Sequence, residues 1–172
     1  SPKINSRFEG QAKILQSPRQ TGIVICGFDW LKDSKLHHAL DLWFTNGLNN
    51  GRRRFLAMTP RDHMKTTYFA ISYMVNQVIK NPEVRILYRM ASATEAEKTL
   101  ASVVSILTTS EWLRHFFPDR VLDTKHPKVV CRADHLKVPR AGIYREGTIE
   151  ARGIDSKVVG GHFTHQIFDD VI

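Results

Sequence analysis

Two groups of side chains, far apart in the chain, have the types and spacing that phosphate chemistry requires. Lys65, Thr66 and Thr67 follow a turn-forming segment and precede a stretch with helical apolar periodicity. Asp169 and Asp170 stand directly after a short apolar run. A lysine ammonium and a helix N-terminus attract phosphate oxygens, whereas hydroxyl and carboxylate oxygens are the ligands that Mg²⁺ prefers. Together the two groups predict a site for a nucleotide and its metal ion.

The first group has the layout of a phosphate-binding loop without its glycines. The usual pattern is G-x-x-x-x-G-K-[ST], and here Thr59 and Met64 occupy the glycine positions. We expect Lys65 to contact the β- and γ-phosphates and the Thr66 hydroxyl to bind Mg²⁺. Arg61 is expected to add a second cation near the γ-phosphate. The predicted nucleotide-binding residues are Thr59, Pro60, Arg61, Asp62, His63, Met64, Lys65, Thr66 and Thr67.

The second group has the form of a Walker B motif, an apolar strand that ends in two acids. Asp169 is expected to hold Mg²⁺, directly or through water. Asp170 is expected to orient or deprotonate the attacking water. Each group alone has a plainer interpretation, the first as a strand–helix turn and the second as solvent-facing acids at a strand end. Their occurrence together favours phosphoryl transfer.

A sheet of parallel strands would bring the two groups to one edge. The predicted buried strands are residues 53 to 58, 84 to 91 and 165 to 172, and the predicted helices are residues 33 to 44, 66 to 80 and 92 to 107. Strands that alternate with helices predict an α/β fold with a mostly parallel sheet flanked by helices. Right-handed crossovers place the carboxyl ends of parallel strands at one edge, where ligands bind.

Several local features refine this prediction. In the helix over residues 33 to 44, Leu36, Ala39, Leu40 and Trp43 are predicted to face inward, and a loop is predicted at residues 46 to 51. Ser92 and Glu95 have capping-box spacing before the third helix. Short antiparallel strands are expected at residues 129 to 131 and 147 to 152, before a glycine-punctuated loop over residues 153 to 161. The first 20 residues are predicted to be extended or loosely helical.

Composition limits the class of protein. The 172 residues are 42% hydrophobic, which is enough for one domain with its own core. No apolar run is long enough for a membrane span, and Cys26 and Cys131 have no metal-binding spacing. The net charge of +8 favours a polyanion such as nucleic acid, with a solvated basic surface as the alternative.

The loop TPRDHMKT at residues 59 to 66 resembles the divergent Walker A of the large terminase subunits of tailed bacteriophages. The closing stretch GGHFTHQIFDD at residues 160 to 170 is similar to that family's approach to Walker B, as is EARGIDS at residues 150 to 156 before it. The segment ASATEAE at residues 91 to 97 resembles the family's junction after its second core strand. The resemblance covers the chain from about residue 20 onward.

The resemblance implies a P-loop NTPase of the ASCE, RecA-like type, with residues 1 to 50 as a lead-in and adenine-side region and 51 to 172 as the core through Walker B. It implies Mg²⁺-dependent ATP hydrolysis that drives double-stranded DNA into a procapsid, by a homo-oligomeric ring in the host cytoplasm. The portal protein and the small terminase subunit are the implied partners. On this view the chain is an N-terminal fragment, and the nuclease domain is expected beyond it.

In such ring motors a neighbouring subunit often supplies an arginine finger. Arg140, Arg145 and Arg152 precede the predicted Walker B strand, and Arg152 is the first choice for a catalytic role. A solvated basic surface is the plainer interpretation of each. Two alternatives for the whole chain stay open: another P-loop nucleic-acid translocase, such as a helicase-like ATPase, and a non-catalytic nucleic-acid-binding domain with a decayed nucleotide site.

Overall fold

The computed structural model describes residues 2–59, 64–158 and 160–170, with side chains from residue 7 onward. Its α-helices are α1 (Pro2–Leu15), α2 (Pro18–Val24), α3 (Lys35–Asn49), α4 (Tyr73–Lys80), α5 (Ala93–Thr109) and α6 (Glu111–Phe116). A π-helical segment, Thr66–Ser72, leads directly into α4, and short 3₁₀ turns lie at Asp29–Leu31 and Pro118–Arg120. No helix among the described residues combines the length and apolar character that crossing a membrane requires.

Five strands form one mixed sheet. They are β1 (Ile86–Met90), β2 (Val130–Arg132), β3 (His135–Lys137), β4 (Ile149–Gly153) and β5 (His165–Phe168). Their order is β2-β3-β4-β1-β5, with β1 parallel to both β4 and β5, and β3 antiparallel to both β2 and β4. The α/β class, with helices flanking a sheet that has an antiparallel addition, is therefore confirmed, although the sheet is evenly mixed rather than mostly parallel.

The two faces of the sheet differ in character. In β4, Ile149 and Ala151 are buried, whereas Glu150 and Arg152, which point the other way, are partly exposed. The face on the Ile149 side, called here the helix face, packs against α5 and belongs to the main apolar core with α4. The opposite face, called here the polar face, carries the Glu150 row. This alternation is what a sheet covered by helices on one side produces.

Helix α5 follows its predicted pattern closely. Ala96, Leu100, Val103 and Leu107 recur at helical spacing, and all four are buried in the core. The helix begins after Ser92 as predicted, but the Ser92 side chain makes no capping hydrogen bond. The predicted capping-box partner Glu95 instead forms an ion pair with Lys98, at 2.7 Å between Nζ and Oε1.

The predicted strand over residues 53 to 58 is wrong. These residues form no strand, and the side chains of Leu56 and Met58 are 79% and 84% exposed. The aromatic ring of Phe55 explains the difference, because it packs against Phe44 of α3, with centroids 4.6 Å apart, and against Trp43 at 5.4 Å. The segment therefore lies along α3 and not in the sheet.

The predicted inward face of α3 is also wrong. The helix runs to Asn49, through most of the predicted loop, and buries His37, Asp41, Phe44 and Gly47. Leu36 and Trp43, predicted to be inside, are 39% and 38% exposed. Other segments supply the partners that make a polar buried face stable: the Tyr68 hydroxyl donates to Asp41 Oδ1 at 2.7 Å, and the Arg19 backbone N–H donates to the same oxygen at 3.3 Å.

The ends of the chain depart from prediction in smaller ways. Helices α1 and α2 are regular, whereas the first 20 residues were expected to be extended or loosely helical. The expected strands near residues 130 and 150 exist as β2 and β4, and each pairs antiparallel with β3, although β4 also pairs parallel with β1. The three-residue strand β3 between them is an addition that the sequence did not predict.

Candidate functional site

The structure brings Lys65 and Asp170 together. The Nζ atom of Lys65 donates to Oδ1 of Asp170 at 3.2 Å, across 105 positions of the chain. Lys65 directly precedes the π-helical segment, and Asp170 follows the carboxyl end of β5. The Asp170 carbonyl accepts from the Ala91 N–H at 3.2 Å, which ties this edge to the end of the neighbouring parallel strand β1. The juxtaposition is that of a site at the carboxyl edge of parallel strands.

Asp169 is oriented by a residue that the sequence did not single out. The Tyr88 hydroxyl donates to Oδ2 of Asp169 at 3.1 Å, and the Asp169 backbone N–H donates to the Arg89 carbonyl at 2.9 Å. Tyr88 is fully buried in the helix face, and burial raises the pKa of its hydroxyl far above the ordinary value. It therefore stays protonated and donates at any ordinary pH. The other Asp169 oxygen makes no hydrogen bond to a described residue, and Asp169 is partly exposed.

The backbone is unusual on both sides of the site. Met64 and Asp170, with φ of 49° and 42°, are the non-glycine residues with positive φ in the described part of the chain. Such a conformation is costly for residues with a side chain, and it concentrates at functional sites. Position 64 is where the loop pattern has its second glycine. The backbone thus adopts there the conformation that glycine favours, even though the side chain is a methionine.

The helix that begins at the predicted loop is π-helical for its first seven residues, Thr66–Ser72. Its widened turns are stabilised where Ser72 Oγ donates to the Thr67 carbonyl at 2.9 Å. The Thr66 side chain is partly buried, and its hydroxyl makes no hydrogen bond to a described residue. π-Helical turns are rare and often mark functional sites.

Two hydroxyls of the predicted loop have the donor chemistry that a phosphate and its metal ion require. Besides Thr66, Thr59 carries a buried Oγ1 with no hydrogen-bond partner among the described residues. A buried unpaired hydroxyl is costly, and a polar ligand group would satisfy it. The described residues contain no cluster of three or more His, Cys, Asp or Glu around a common point. Mg²⁺ needs none, because it commonly takes one or two protein oxygens and fills its shell with phosphate and water.

Four predicted nucleotide-binding residues, Pro60, Arg61, Asp62 and His63, lie outside the described residues. The predicted role of Arg61 near the γ-phosphate thus stays a prediction. The roles of Lys65, Thr66, Asp169 and Asp170 also stay predictions, now with a common location.

The three arginine-finger candidates differ in how firmly they are held. Arg152, on β4, forms ion pairs with Asp134 and with Glu150, the latter at 3.2 Å between Nη2 and Oε2. The Arg140 guanidinium lies over the Tyr144 ring, 5.0 Å from its centroid, and donates to a backbone carbonyl. Arg145 is exposed and has no ion pair with a described carboxylate. Reaching a neighbouring subunit would cost Arg145 the least.

Comparison with known proteins adds no assignment to this geometry. No protein-family model matches the chain, and no curated protein or solved structure matches it significantly. The function therefore has to be inferred from the site itself and from the motifs that the sequence carries.

Proposed function

We propose that the chain is the nucleotide-binding domain of an Mg²⁺-dependent P-loop ATPase that moves double-stranded DNA, of the kind found in the large terminase subunits of tailed bacteriophages. One observation carries the proposal: the ammonium of Lys65 and the carboxylate of Asp170 meet at 3.2 Å, at the carboxyl edge of β1 and β5. A lysine before a helix and an acid pair after a parallel strand, in contact, are the two halves that phosphoryl transfer needs.

Each residue of the site has a role that follows from its contacts. Lys65 would hold the β- and γ-phosphates, and the Thr66 hydroxyl and the Asp169 oxygen that Tyr88 does not contact would hold Mg²⁺ or its bound water. Mg²⁺, when bound, neutralises phosphate charge and so favours attack at the γ-phosphorus. Asp170 would orient the attacking water or take its proton. Tyr88 would act as a positioning residue, because it fixes the carboxylate of Asp169 from the core side.

The ion pair between Lys65 and Asp170 is compatible with nucleotide binding. Its side chains are 26% and 60% exposed, and an exposed pair of this kind contributes about 0 to 1 kcal/mol. Phosphate oxygens carry more charge and offer Lys65 a stronger, charge-assisted contact. Replacing the Asp170 carboxylate by a phosphate oxygen as the partner of Lys65 therefore costs little free energy. The exchange leaves Asp170 free to contact water.

The test uses equilibrium binding of a fluorescent ATP analogue with Mg²⁺, together with phosphate release. Lys65→Ala should weaken analogue binding at least about tenfold, since it removes a charged contact worth roughly 1.5–3 kcal/mol. Asp170→Asn should bind the analogue but lose about 10²- to 10⁴-fold in turnover, the range of a general base. Lys98→Ala, which removes an exposed ion-paired lysine on α5, is the matched control. Unchanged binding in a folded Lys65→Ala variant would overturn the proposal.

The resemblance extends the proposal to the surroundings of the motor. It would work as a homo-oligomeric ring in the host cytoplasm, with a portal protein and a small terminase subunit as its partners. The Arg152 or Arg145 side chain would serve as the finger toward the neighbouring nucleotide.

A second candidate function, a nucleic-acid-binding domain with a decayed nucleotide site, is favoured by residues 53 to 58. These lack strand pairing, so the loop is not anchored to the sheet in the way the pattern predicted. Thermal unfolding with millimolar Mg²⁺–ATP separates the two. Ligand binding raises the melting temperature by mass action. An unchanged melting temperature with tight DNA binding would favour the second candidate.

A further inference from the structure

The polar face of the sheet concentrates positive charge. The strand residues on that face, from the register of the pairs, are Val130, Arg132, His135, Lys137, Glu150, Arg152, Leu87, Arg89, Gln166 and Phe168. Arg132, Lys137, Arg152 and Arg89 are basic, and Glu150 is the one acid in that set, so the strands contribute 4 − 1 = +3. The strand residues of the helix face include no lysine or arginine. Positive charge gathered on one face favours a polyanion as a partner of that face.

The basic residues stand side by side. Arg152 of β4 and Arg89 of β1 are register partners, and Phe168 of β5 is the next residue in the same row. Neighbouring strands lie about 4.8 Å apart, so the two guanidinium side chains leave the sheet close together. The two guanidinium groups have different partners, because Arg152 forms ion pairs with Asp134 and Glu150 whereas Arg89 donates to the Ser156 carbonyl.

The local carboxylates are paired with Arg152 or with backbone N–H groups. Glu150 accepts from the Gly147 N–H at 3.1 Å and from Arg152, while Asp134 pairs with Arg152 as well. Glu146 accepts from the backbone N–H of His162 at 2.7 Å, and this bond holds the pKa of its carboxyl below the ordinary value. The acids are thus already engaged.

Arg89 has no ion pair to a described carboxylate, but its guanidinium donates to the Ser156 carbonyl. Four other cations around the face also have no ion pair to a described carboxylate: Arg132, Lys137, Arg145 and Lys157. Three of these are exposed, and Lys137 is partly so. Their charges are available to an external polyanion, and they lie on a chain whose net charge is +8.

The same face has a recess that can receive part of such a ligand. A cavity of about 530 Å³ is lined by His135, Glu150 and Arg152 from the sheet and by Arg145, Lys157 and Phe163 from the loops beside it. Its volume lies within the range of pockets that hold small ligands or single groups of larger ones. The cations and the Phe163 ring in its lining suit a phosphate with its attached sugar or base, and Glu146 and Glu150 also line it.

We infer that the polar face is a nucleic-acid contact surface that holds a phosphate backbone, with Arg132, Lys137, Arg145 and Lys157 as its principal cations. It rests on the proposed function only in the choice of duplex DNA as the nucleic acid. Arg132 and Lys137 lie on β2 and β3, the two strands farthest from β5 in the sheet, so this surface is separate from the nucleotide site.

The test measures binding of a labelled duplex of random sequence over a series of salt concentrations. The polar-face variant is Arg132→Glu, Lys137→Glu and Lys157→Glu together. The control variant is Lys13→Glu, Lys98→Glu and Arg114→Glu, all exposed residues on helices. Each variant changes the net charge by 3 × (−2) = −6, from +8 to +2, so non-specific attraction falls equally in both.

The polar-face variant should bind DNA at least about tenfold more weakly, with the slope of log K against log salt reduced by about 3, near one unit per lost phosphate contact. The control variant should change affinity less than about threefold. Equal losses in both variants, or no binding by the unmodified chain, would overturn the inference.

ATP-analogue binding by the unmodified chain is measured in parallel. If it is absent while DNA binding still depends on the polar face, then the proposed ATPase falls and this inference stands. If the analogue binds but the polar-face variant binds DNA as tightly as the unmodified chain, then this inference falls and the proposed ATPase stands. Circular dichroism and melting temperature confirm that each variant is folded.

Discussion

The helix face and the polar face come from the same five strands but have opposite properties. On the helix face Ile86, Tyr88 and Ile149 are fully buried and pack against α4 and α5. On the polar face Gln166 and Phe168 are exposed, and arginines stand beside each other. A strand's period of two lets one short sequence serve the core and a ligand surface at once. The candidate nucleotide site lies at the edge where the two faces meet.

The largest expected effect tests whether stability resides in the helix face. Ile149→Ala removes buried apolar atoms from a fully enclosed position and should lower the free energy of unfolding by about 2–5 kcal/mol. Gln166→Ala, at an exposed position on the polar face, should change it by less than about 0.5 kcal/mol. Urea denaturation measures both. Similar losses in the two variants would contradict the division of roles between the faces.

The next effect concerns the link from the helix face to the site. Tyr88→Phe removes the hydroxyl that donates to Asp169 and should cost about 1–2 kcal/mol of folding stability. It should also weaken Mg²⁺-dependent ATP-analogue binding several-fold, because Asp169 loses its orientation. The matched control is Tyr73→Phe on α4, since the Tyr73 hydroxyl makes no hydrogen bond to a described residue.

Both tyrosine variants are measured by urea denaturation and by analogue titration over Mg²⁺ concentration. If Tyr88→Phe and Tyr73→Phe shift the Mg²⁺ dependence alike, then Tyr88 has a structural role only, and the proposed positioning of Asp169 is wrong.

A smaller effect is expected from the strained backbone before Lys65. Met64→Gly should raise the free energy of unfolding by about 1 kcal/mol, because glycine adopts a φ of 49° without the cost that a side chain incurs. Met58→Gly is the control: Met58 is also exposed and irregular but has no positive φ, so glycine there should lower stability by about 0.4–1 kcal/mol. Loss of stability in both variants would show that position 64 is not strained.

The sequence predicted well whatever depends on local periodicity. Strand β1 and helix α5 lie close to their predicted positions, because their apolar residues recur at the spacing of the element that they form. The location of the acid pair after a parallel strand also followed from the sequence, since the apolar run before Asp169 and Asp170 predicts the strand that precedes them. The contact of Lys65 with Asp170 is consistent with that reasoning.

What could not be predicted depends on partners far along the chain. The buried face of α3 contains Asp41 because Tyr68 and Arg19 provide its hydrogen bonds, and no local pattern shows that. The local pattern placed Phe55 in a strand, because it does not show that the ring packs against Phe44 of a separate segment. Tyr88 was missed as an Asp169 partner for the same reason, since 81 positions separate them. Long-range polar contacts thus set the limit of the sequence-based prediction.

The smallest expected effect compares one histidine from each face. His165, on the helix face, lies beside the Tyr73 ring, with centroids 5.9 Å apart, and burial lowers its pKa below the ordinary 6.5. Burial also lowers the pKa of His135 on the polar face, but the nearby carboxylates of Glu150 and Asp134 oppose the shift. Both histidines therefore favour the neutral form in the folded chain, and no described carboxylate opposes the shift in the pKa of His165.

A histidine with a lowered folded pKa makes stability depend on pH in a defined direction. Between the folded pKa and about 6.5 the unfolded chain binds more protons, so the free energy of unfolding rises with pH in that window. The contribution is fully present above 6.5 and is lost as the pH falls toward the folded pKa. His165→Gln should reduce this pH dependence, measured as the difference in unfolding free energy between pH 7.5 and pH 5.5. His135→Gln should reduce it less. A larger effect from His135 would mean that burial on the polar face outweighs its carboxylates, and the contrast between the faces would then not extend to their histidines.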